Sequence, residues 1–133
     1  MKIILTPTEA EEIFHSALCN AVSTGYMSGY GISLTYDRSQ YKDSKEHLER
    51  LNPSTQQCWE DVLMQILRDG GKLIFEDHEN DGEYTQSVTM KEVHERVSQA
   101  PTEALMNFVN ENDDAGDADL ILQTVFYEEV IFG

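Results

Sequence analysis

Apolar residues near the start of the chain recur at the three- and four-residue spacing that places side chains on one face of a helix. The residues of this face are Ile13, Phe14, Ala17, Leu18, Ala21 and Val22. The preceding segment Thr6-Pro7-Thr8-Glu9 has the order of a capping box, with proline at the first helical position. The pattern therefore predicts a helix that begins after Thr6 and ends at Gly25.

The middle of the chain predicts two helices of different character. Residues 37–51 carry charges of both signs at helical spacing and few apolar anchors, which is typical of a solvated helix. After a proline-containing break, Ser54 and Gln57 resemble a second capping box, and Gly70-Gly71 marks the end of the helix that follows. The apolar face of that helix consists of Cys58, Trp59, Val62, Leu63, Ile66 and Leu67.

A β-hairpin is predicted at about residues 72–89. Asp81-Gly82 is a strong sequence signal for a two-residue hairpin turn, and such a turn fixes a register with the apolar residues on one face. The paired residues in this register are Phe75 with Val88 and Leu73 with Met90. Residues 32–36 alternate between apolar and polar side chains and predict the third strand that a lone hairpin needs for stability.

The last third of the chain predicts three more helices. Thr89 and Glu92 form a third capping box, which opens the first of them. The apolar residues of the second are Ala104, Leu105, Phe108 and Val109. Asp117 is the predicted cap of the third, and residues 120–127 are apolar nearly all round. A helix of that kind is expected at the centre of a fold or at a binding surface.

These elements together predict a single α+β domain over residues 1–133. Its five or six helices pack on a small antiparallel sheet that is centred on the hairpin at about 72–89. A chain of this length buries roughly two-thirds of the surface that its unfolded form exposes, which is sufficient for one core.

The charge is the most uneven property of the sequence. The chain has 9 Lys and Arg against 25 Asp and Glu, giving a formal net charge of -16. Residues 101–133 contain no Lys or Arg but eight carboxylates, which are Glu103, Glu111, Asp113, Asp114, Asp117, Asp119, Glu128 and Glu129. This charge excludes direct binding of a nucleic-acid backbone or an anionic membrane, because both need a basic surface.

The acidic region has three interpretations: a solvated surface, a docking surface for a basic protein partner, and a mimic of nucleic acid that occupies a DNA-binding protein's groove. A loop of three glycines and two tyrosines at residues 25–31 is a second candidate contact surface, because tyrosine is favoured at interfaces. The candidate interaction residues are Tyr26, Tyr30, Asp113, Asp114, Asp117, Asp119, Phe126 and Tyr127.

Catalytic, metal-binding and cofactor-binding motifs are not recognisable. Residues 77–82 resemble the opening of a calcium loop, but the twelfth position is Val88 where a calcium loop has glutamate. His15 and Cys19 share a helix face without a second pair of ligands at zinc-like spacing. We therefore predict no catalytic residues, no metal site and no cofactor.

The two cysteines, Cys19 and Cys58, are interpreted as small buried hydrophobic residues in a reducing compartment, although the sequence leaves a disulfide open. The apolar run after Met1-Lys2 is too short for a signal peptide, and no segment has the length of a membrane span. These features predict a cytoplasmic protein.

Three stretches carry a resemblance to known proteins: Trp59 to Leu73, Val88 to His94 and Asp117 to Gly133. Over the last 75 residues the chain resembles small uncharacterised acidic proteins of gut Bacteroidales and their phages or mobile elements. The resemblance implies a prokaryotic or phage cytoplasmic context, and it implies no activity and no site residues.

The leading hypothesis is a non-enzymatic interaction or accessory protein, with a homodimer as one form of that interaction. The first alternative is a nucleic-acid-mimicking inhibitor of a DNA-binding protein. The second alternative is a small enzyme that uses clustered carboxylates with a metal.

Overall fold

The described part of the chain, residues 3–22 and 26–132 of the computed structural model, contains six α-helices, three strands, one π-helical segment and two 3-10 segments. The helices are α1 (Pro7–Ala17), α2 (Arg38–Leu51), α3 (Trp59–Arg68), α4 (Met90–Arg96), α5 (Thr102–Val109) and α6 (Ala115–Tyr127). The strands are β1 (Ile32–Thr35), β2 (Leu73–Asp77) and β3 (Gln86–Val88). None of these helices combines the length and the apolar character that crossing a bilayer requires.

The strands form one antiparallel sheet in the order β1-β2-β3. Leu34 lies opposite Phe75, and Leu73 lies opposite Val88, so that each strand contributes apolar side chains to the face that packs on the helices. The other face carries polar side chains such as Ser33 and Ser87. The predicted α+β class and the predicted third strand are confirmed.

The register of the hairpin differs by two residues from the prediction, because Phe75 pairs with Gln86 and not with Val88. Asp81 and Gly82 do adopt positive φ angles of 54° and 79°, as a two-residue hairpin turn requires. A second turn follows directly, in which the Thr85 N–H donates to the Gly82 carbonyl (3.1 Å). The ladder therefore stops before it reaches the first turn, and a slip of two residues keeps every side chain on its predicted face.

The buried carboxylate of Asp77 holds this connection in place. It accepts hydrogen bonds from the backbone N–H groups of Glu79 (3.0 Å), Asn80 (3.1 Å) and Tyr84 (3.1 Å). Burial opposes ionisation of Asp77, but these hydrogen bonds lower its pKa, so that it stays charged. The carboxylate that begins the calcium-like sequence thus accepts hydrogen bonds from the backbone of the connection that follows it.

The first helix begins as predicted. The Thr6 N–H donates to Glu9 Oε1 (2.9 Å) and the Glu9 N–H donates to Thr6 Oγ1 (3.1 Å), which completes the capping box. α1 continues as a π-helical segment at Leu18–Val22. The predicted end at Gly25 lies outside the described residues.

The start of α3 differs from the prediction. The helix begins at Trp59 with Cys58 as its N-cap, and the Cys58 N–H donates to Asp61 Oδ2 (3.2 Å), whereas Ser54 and Gln57 form no cap. A cap side chain lies outside the first turn, and Cys58 is accordingly exposed. Cys19 is only half-buried, so the interpretation of both cysteines as buried core residues is wrong, and neither of them forms a disulfide.

α6 is the central helix of the fold. Its N-cap is Asp114 and not Asp117, and the two residues exchange hydrogen bonds between backbone N–H and carboxylate (2.8 Å and 3.1 Å). It lies against α1, α4, α5 and β3. Its buried residues are Ala118, Asp119, Ile121, Leu122, Gln123, Thr124, Val125 and Phe126. The apolar residues all round this helix therefore serve the core.

Candidate functional site

A cavity of about 410 Å³ opens between α1 and the segment that joins α5 to α6. Its apolar lining residues are Leu5, Ile13, Phe108 and Val109, beside Ser16. Its charged lining residues are Glu9, Glu12, Glu111 and Asp113. We call this cavity the carboxylate groove, and none of its lining residues is basic.

The α1 side of the groove is fixed by the helix start. The capping box with Thr6 immobilises Glu9, and the hydrogen bonds from Thr6 lower the pKa of Glu9, so that its charge is retained. Glu12 follows one turn later and is exposed. The α1 side of the groove therefore carries two neighbouring negative charges close to the apolar side chain of Ile13.

The opposite side of the groove is a short loop after α5. Glu111 has a left-handed backbone (φ 58°) and donates its N–H to the Phe108 carbonyl (3.2 Å), while the Asn112 N–H donates to the Asn107 carbonyl (2.8 Å). The carboxylate of Asp113 accepts a hydrogen bond from the side chain of Asn20. The two backbone bonds hold the loop against α5, and the bond from Asn20 ties Asp113 to the segment after α1.

Apolar surface continues from the groove along α5. Val109 was predicted on the apolar helix face, but its side chain is 60% exposed. Met106, one turn earlier, is 43% exposed. An apolar area with charged neighbours is typical of protein-binding surfaces.

The groove combines two properties that attract the same kind of ligand. Four carboxylates in a cleft give a strong negative potential, and the apolar floor offers a surface for methylene groups. Lys and Arg side chains satisfy both, since an apolar stem ends in a charged head. Within residues 3–22 and 26–132, no three His, Cys, Asp or Glu side chains come together as metal ligands would.

The structure divides the predicted interaction residues among different places. Asp113 lines the groove, and Asp114 and Asp117 close the start of α6. Phe126 (2% exposed) and Asp119 (4% exposed) lie in the interior, so neither forms part of the outer surface that was predicted for them. The prediction for the Tyr26 side chain lies outside the described part of the chain.

The two remaining tyrosines support the fold from within. The Tyr30 hydroxyl donates to Asp119 Oδ2 (3.0 Å), and the Tyr30 ring stacks on Phe132 with 4.7 Å between ring centres. The Tyr127 hydroxyl donates to the Tyr84 carbonyl (2.8 Å), and burial raises the pKa of Tyr127. Both tyrosines are half-buried, and their hydroxyl groups donate hydrogen bonds within the molecule.

Gln123 connects Asp119 to the segment that follows α6. Its fully buried amide donates to both carboxylate oxygens of Asp119 (3.0 Å each) and accepts the backbone N–H groups of Ile131 and Phe132 (2.8 Å each). The same amide donates to the Phe132 carbonyl (3.2 Å). One side chain thus anchors residues 131–132 to the core.

Asp119 gives the stability of the fold a measurable pH dependence. Burial raises the pKa of Asp119, although hydrogen bonds from Gln123 and Tyr30 oppose the shift. The folded state therefore takes up this proton more readily than the unfolded state, and the buried charge disfavours folding above the raised pKa. We expect the stability of Asp119→Asn relative to wild type to increase as the pH rises from below 3.8 through the raised pKa.

Urea denaturation of both proteins over this pH range measures that difference. Carboxylates whose pKa values are lowered, such as Asp69 and Asp77, also make stability depend on pH. Both proteins retain them, so their contributions cancel in the stability difference. A stability difference that stays constant with pH would contradict the role of burial at Asp119.

A serine, a histidine and an aspartate meet between α2 and α3, but not in a catalytic order. Ser44 Oγ donates to Asp69 Oδ2 (2.8 Å), and His47 Nδ1 lies 2.9 Å from Asp69 Oδ1. The carboxylate therefore stands between the serine and the histidine, whereas a nucleophilic serine needs the histidine next to it. Burial opposes ionisation of Asp69, but hydrogen bonds from Ser44, Gln65 and His47 lower its pKa. The cluster joins two helices.

Sequence reasoning missed the groove as a whole. Leu5 and Val109 are far apart in the chain and come together only through the packing of α1 and α5 around α6. The available signal was Val109, which directly follows the core residue Phe108 and belongs to a different face of the helix.

Comparison with known proteins yields no relative: the chain matches no protein-family model, no curated protein sequence and no solved structure.

Proposed function

We propose that this protein is a non-enzymatic interaction or accessory protein that holds a basic, amphipathic segment of a partner protein in the carboxylate groove. The observation that carries the proposal is the groove itself, in which four carboxylates surround an apolar floor without any basic residue in the lining. An amphipathic helix presents apolar and cationic side chains on adjacent faces, which is the complementary pattern.

The physical case rests on separate contributions of charge and apolar contact. Opposite charge accelerates the encounter and fixes the orientation of the partner, and apolar contact supplies most of the affinity. The exposed side chains of Val109 and Met106 extend the apolar floor beyond the cavity. A basic segment longer than the cavity therefore finds further contact along α5.

The geometry favours a groove ligand over mimicry of nucleic acid. A mimic needs a row of carboxylates on one face, whereas here Asp119 is buried, Asp114 and Asp117 are engaged with one another, and Glu128 pairs with Arg96 (2.8 Å). We retain mimicry as the weaker alternative. A carboxylate–metal enzyme has no observation among the described residues in its favour.

The test uses a fluorescent amphipathic peptide of leucine and lysine as the probe. We expect it to bind wild type, and we expect Glu12→Gln with Glu111→Gln to weaken binding by about 2- to 30-fold, because each exposed ion pair contributes about 0.2–1 kcal/mol. Added salt should weaken binding as well, since it screens charges at the surface. Fluorescence anisotropy at several salt concentrations measures both effects.

The matched control is Glu46→Gln with Glu49→Gln, which removes the same charge from exposed positions of α2. It should bind like wild type. A second peptide of identical composition, with its leucines scattered around the helix, should bind more weakly. Equal binding by the groove variant and the α2 variant would mean that net charge alone attracts the peptide, and the proposal would fail.

The cellular setting is part of the proposal. The exposed thiol of Cys58, which is not part of a disulfide, supports a reducing compartment, as in the cytoplasm. The prokaryotic or phage origin implied by the sequence resemblance stays a prediction.

A further inference from the structure

β1 is an edge strand whose outer side carries backbone hydrogen-bonding groups. The sheet order places β1 at one end, and the described residues supply no strand beyond it. The His78 N–H donates to the Gly31 carbonyl (2.9 Å), and with the antiparallel register this fixes the alternation along β1. Ser33 and Thr35 direct their backbone groups to β2, and Leu34 directs its N–H and carbonyl away from β2.

This edge is short, with four residues, but it lacks the side chains that usually protect an edge strand. Natural edges carry lysine, proline or inward charges, which prevent pairing with another chain. β1 has none of these, with the sequence Ile32-Ser33-Leu34-Thr35. The opposite edge, β3, lies against two helices, α4 and α6, whereas β1 contacts the 3-10 segment Tyr26–Tyr30 that precedes it in the chain. The outward side of β1 is therefore the edge suited to pairing.

The β1 strand itself is uncharged in a chain with a net charge of -16, and the nearest carboxylates are those of β2 and of Glu79, whose side chain lies against Gly31. Residues 13–36 form a run of 24 positions without Asp, Glu, Lys or Arg. A recess of about 190 Å³ beside β1 is lined by Val22, Met27, Ile32, Leu34 and Phe75 together with two serines. The carboxylate groove and three further cavities, of about 140, 260 and 570 Å³, all have ionisable side chains in their linings.

We propose that β1 is an interface between two copies of this chain, which pair antiparallel across a two-fold axis centred near Leu34. An antiparallel strand pair is self-complementary under such an axis, so one edge serves both copies. Two chains of the same large negative charge repel one another wherever their carboxylates meet. A strand without charged side chains adds nothing to this repulsion, and it offers a basic partner no carboxylate of its own. The occupant that fits is therefore a second copy.

Salt distinguishes this interface from the carboxylate groove. Screening reduces the repulsion between two acidic copies, so salt should strengthen the dimer, whereas it should weaken binding of a basic peptide. We expect light scattering after size exclusion at about 0.1 mM protein to approach twice the chain mass of 15.1 kDa when NaCl rises from about 0.05 M to about 0.5 M. A single-chain mass at the higher salt would overturn the proposal.

Two substitutions at one position test the backbone pairing itself. Leu34→Pro removes the outward N–H, and proline is tolerated at an edge in this orientation. Leu34→Ala removes a similar part of the side chain but keeps the N–H. We expect Leu34→Ala to dimerise and Leu34→Pro to remain a single chain, with folding checked by circular dichroism. Equal dimerisation of both variants would overturn the proposal.

A second pair of variants decides the question if Leu34→Pro does not fold. Thr35→Glu brings two carboxylates close to the two-fold axis, and Ser87→Glu adds the same charge to β3 at the other edge. We expect only Thr35→Glu to abolish the dimer. Dimerisation of both variants, or of neither, would show that the β1 edge is not the interface.

Discussion

Replacing Phe126 by alanine is expected to lower the free energy of unfolding by about 3–5 kcal/mol, the usual cost of removing a large aromatic side chain from a core. The Phe126 ring is 2% exposed and stacks on Phe75 with 3.7 Å between ring centres. It also lies 6.5 Å from the ring of Phe14. Since a domain of this size has about 5–15 kcal/mol of total stability, the loss should appear clearly in urea denaturation.

The control is Met106→Ala, because Met106 is also a large apolar residue but is 43% exposed. Surface substitutions of this kind usually change stability by about 0.5 kcal/mol or less. If Phe126 belonged to an interaction surface, as its sequence position suggested, its loss would weaken binding and leave stability unchanged. An unfolding midpoint equal to that of Met106→Ala would therefore contradict the core position.

Replacing Gln123 by glutamate should destabilise the fold by about 3–5 kcal/mol near neutral pH, although the two side chains have nearly the same shape. The Gln123 Nε2 atom lies 3.0 Å from both carboxylate oxygens of Asp119, and Gln123 is fully buried. The substitution converts this donor into a second carboxylate. Two buried carboxylates in contact cannot both ionise at ordinary cost.

The prediction for Gln123→Glu has a pH dependence of defined sign. As the pH falls, one carboxyl of the pair takes up a proton and donates it to the other, so the variant should recover towards wild type. Denaturation at about pH 7 and about pH 5 measures this recovery. A destabilisation of the same size at both values would point to packing as its cause.

A double variant separates charge from shape at this site. Asp119→Asn with Gln123→Glu exchanges the amide and the carboxylate, so the total charge equals that of wild type. The glutamate retains an acceptor for the Ile131 and Phe132 N–H groups, and the asparagine supplies a donor to it. We expect most of the lost stability to return. A double variant as unstable as Gln123→Glu alone would show that the exact positions of the two groups matter more than their charges.

Sequence reasoning succeeded where short-range chemistry decides the structure. The capping box of Thr6 and Glu9 is a contact across three residues, and so is the bond from the Thr89 N–H to Glu92 Oε2 (3.2 Å). Both were predicted correctly, because the residues that make each contact stand next to one another in the sequence. The third strand at Ile32–Thr35 followed from local alternation in the same way.

The errors arose where the local structure is determined by a residue distant in sequence or by two residues that compete for one role. The hairpin register depends on Asp77, whose carboxylate ties down the backbone of a connection that sequence reasoning took for a two-residue turn. At the start of α6 two aspartates compete for the role of cap, and Asp114 takes it because Asp117 then reciprocates as the third helical residue. The groove and the Gln123 contacts depend on tertiary packing and had no local sequence signal.

The central position of α6 has a consequence for how the chain folds as it is made. Synthesis proceeds from the N-terminus, so α1 and β2 leave the ribosome before the helix that covers them. Until Phe126 emerges, Phe14 and Phe75 lack their main aromatic neighbour, and apolar surface stays exposed to other nascent chains. The large negative charge keeps such partly folded chains apart during this interval. We therefore expect the acidity of the protein to limit association between incomplete chains during synthesis.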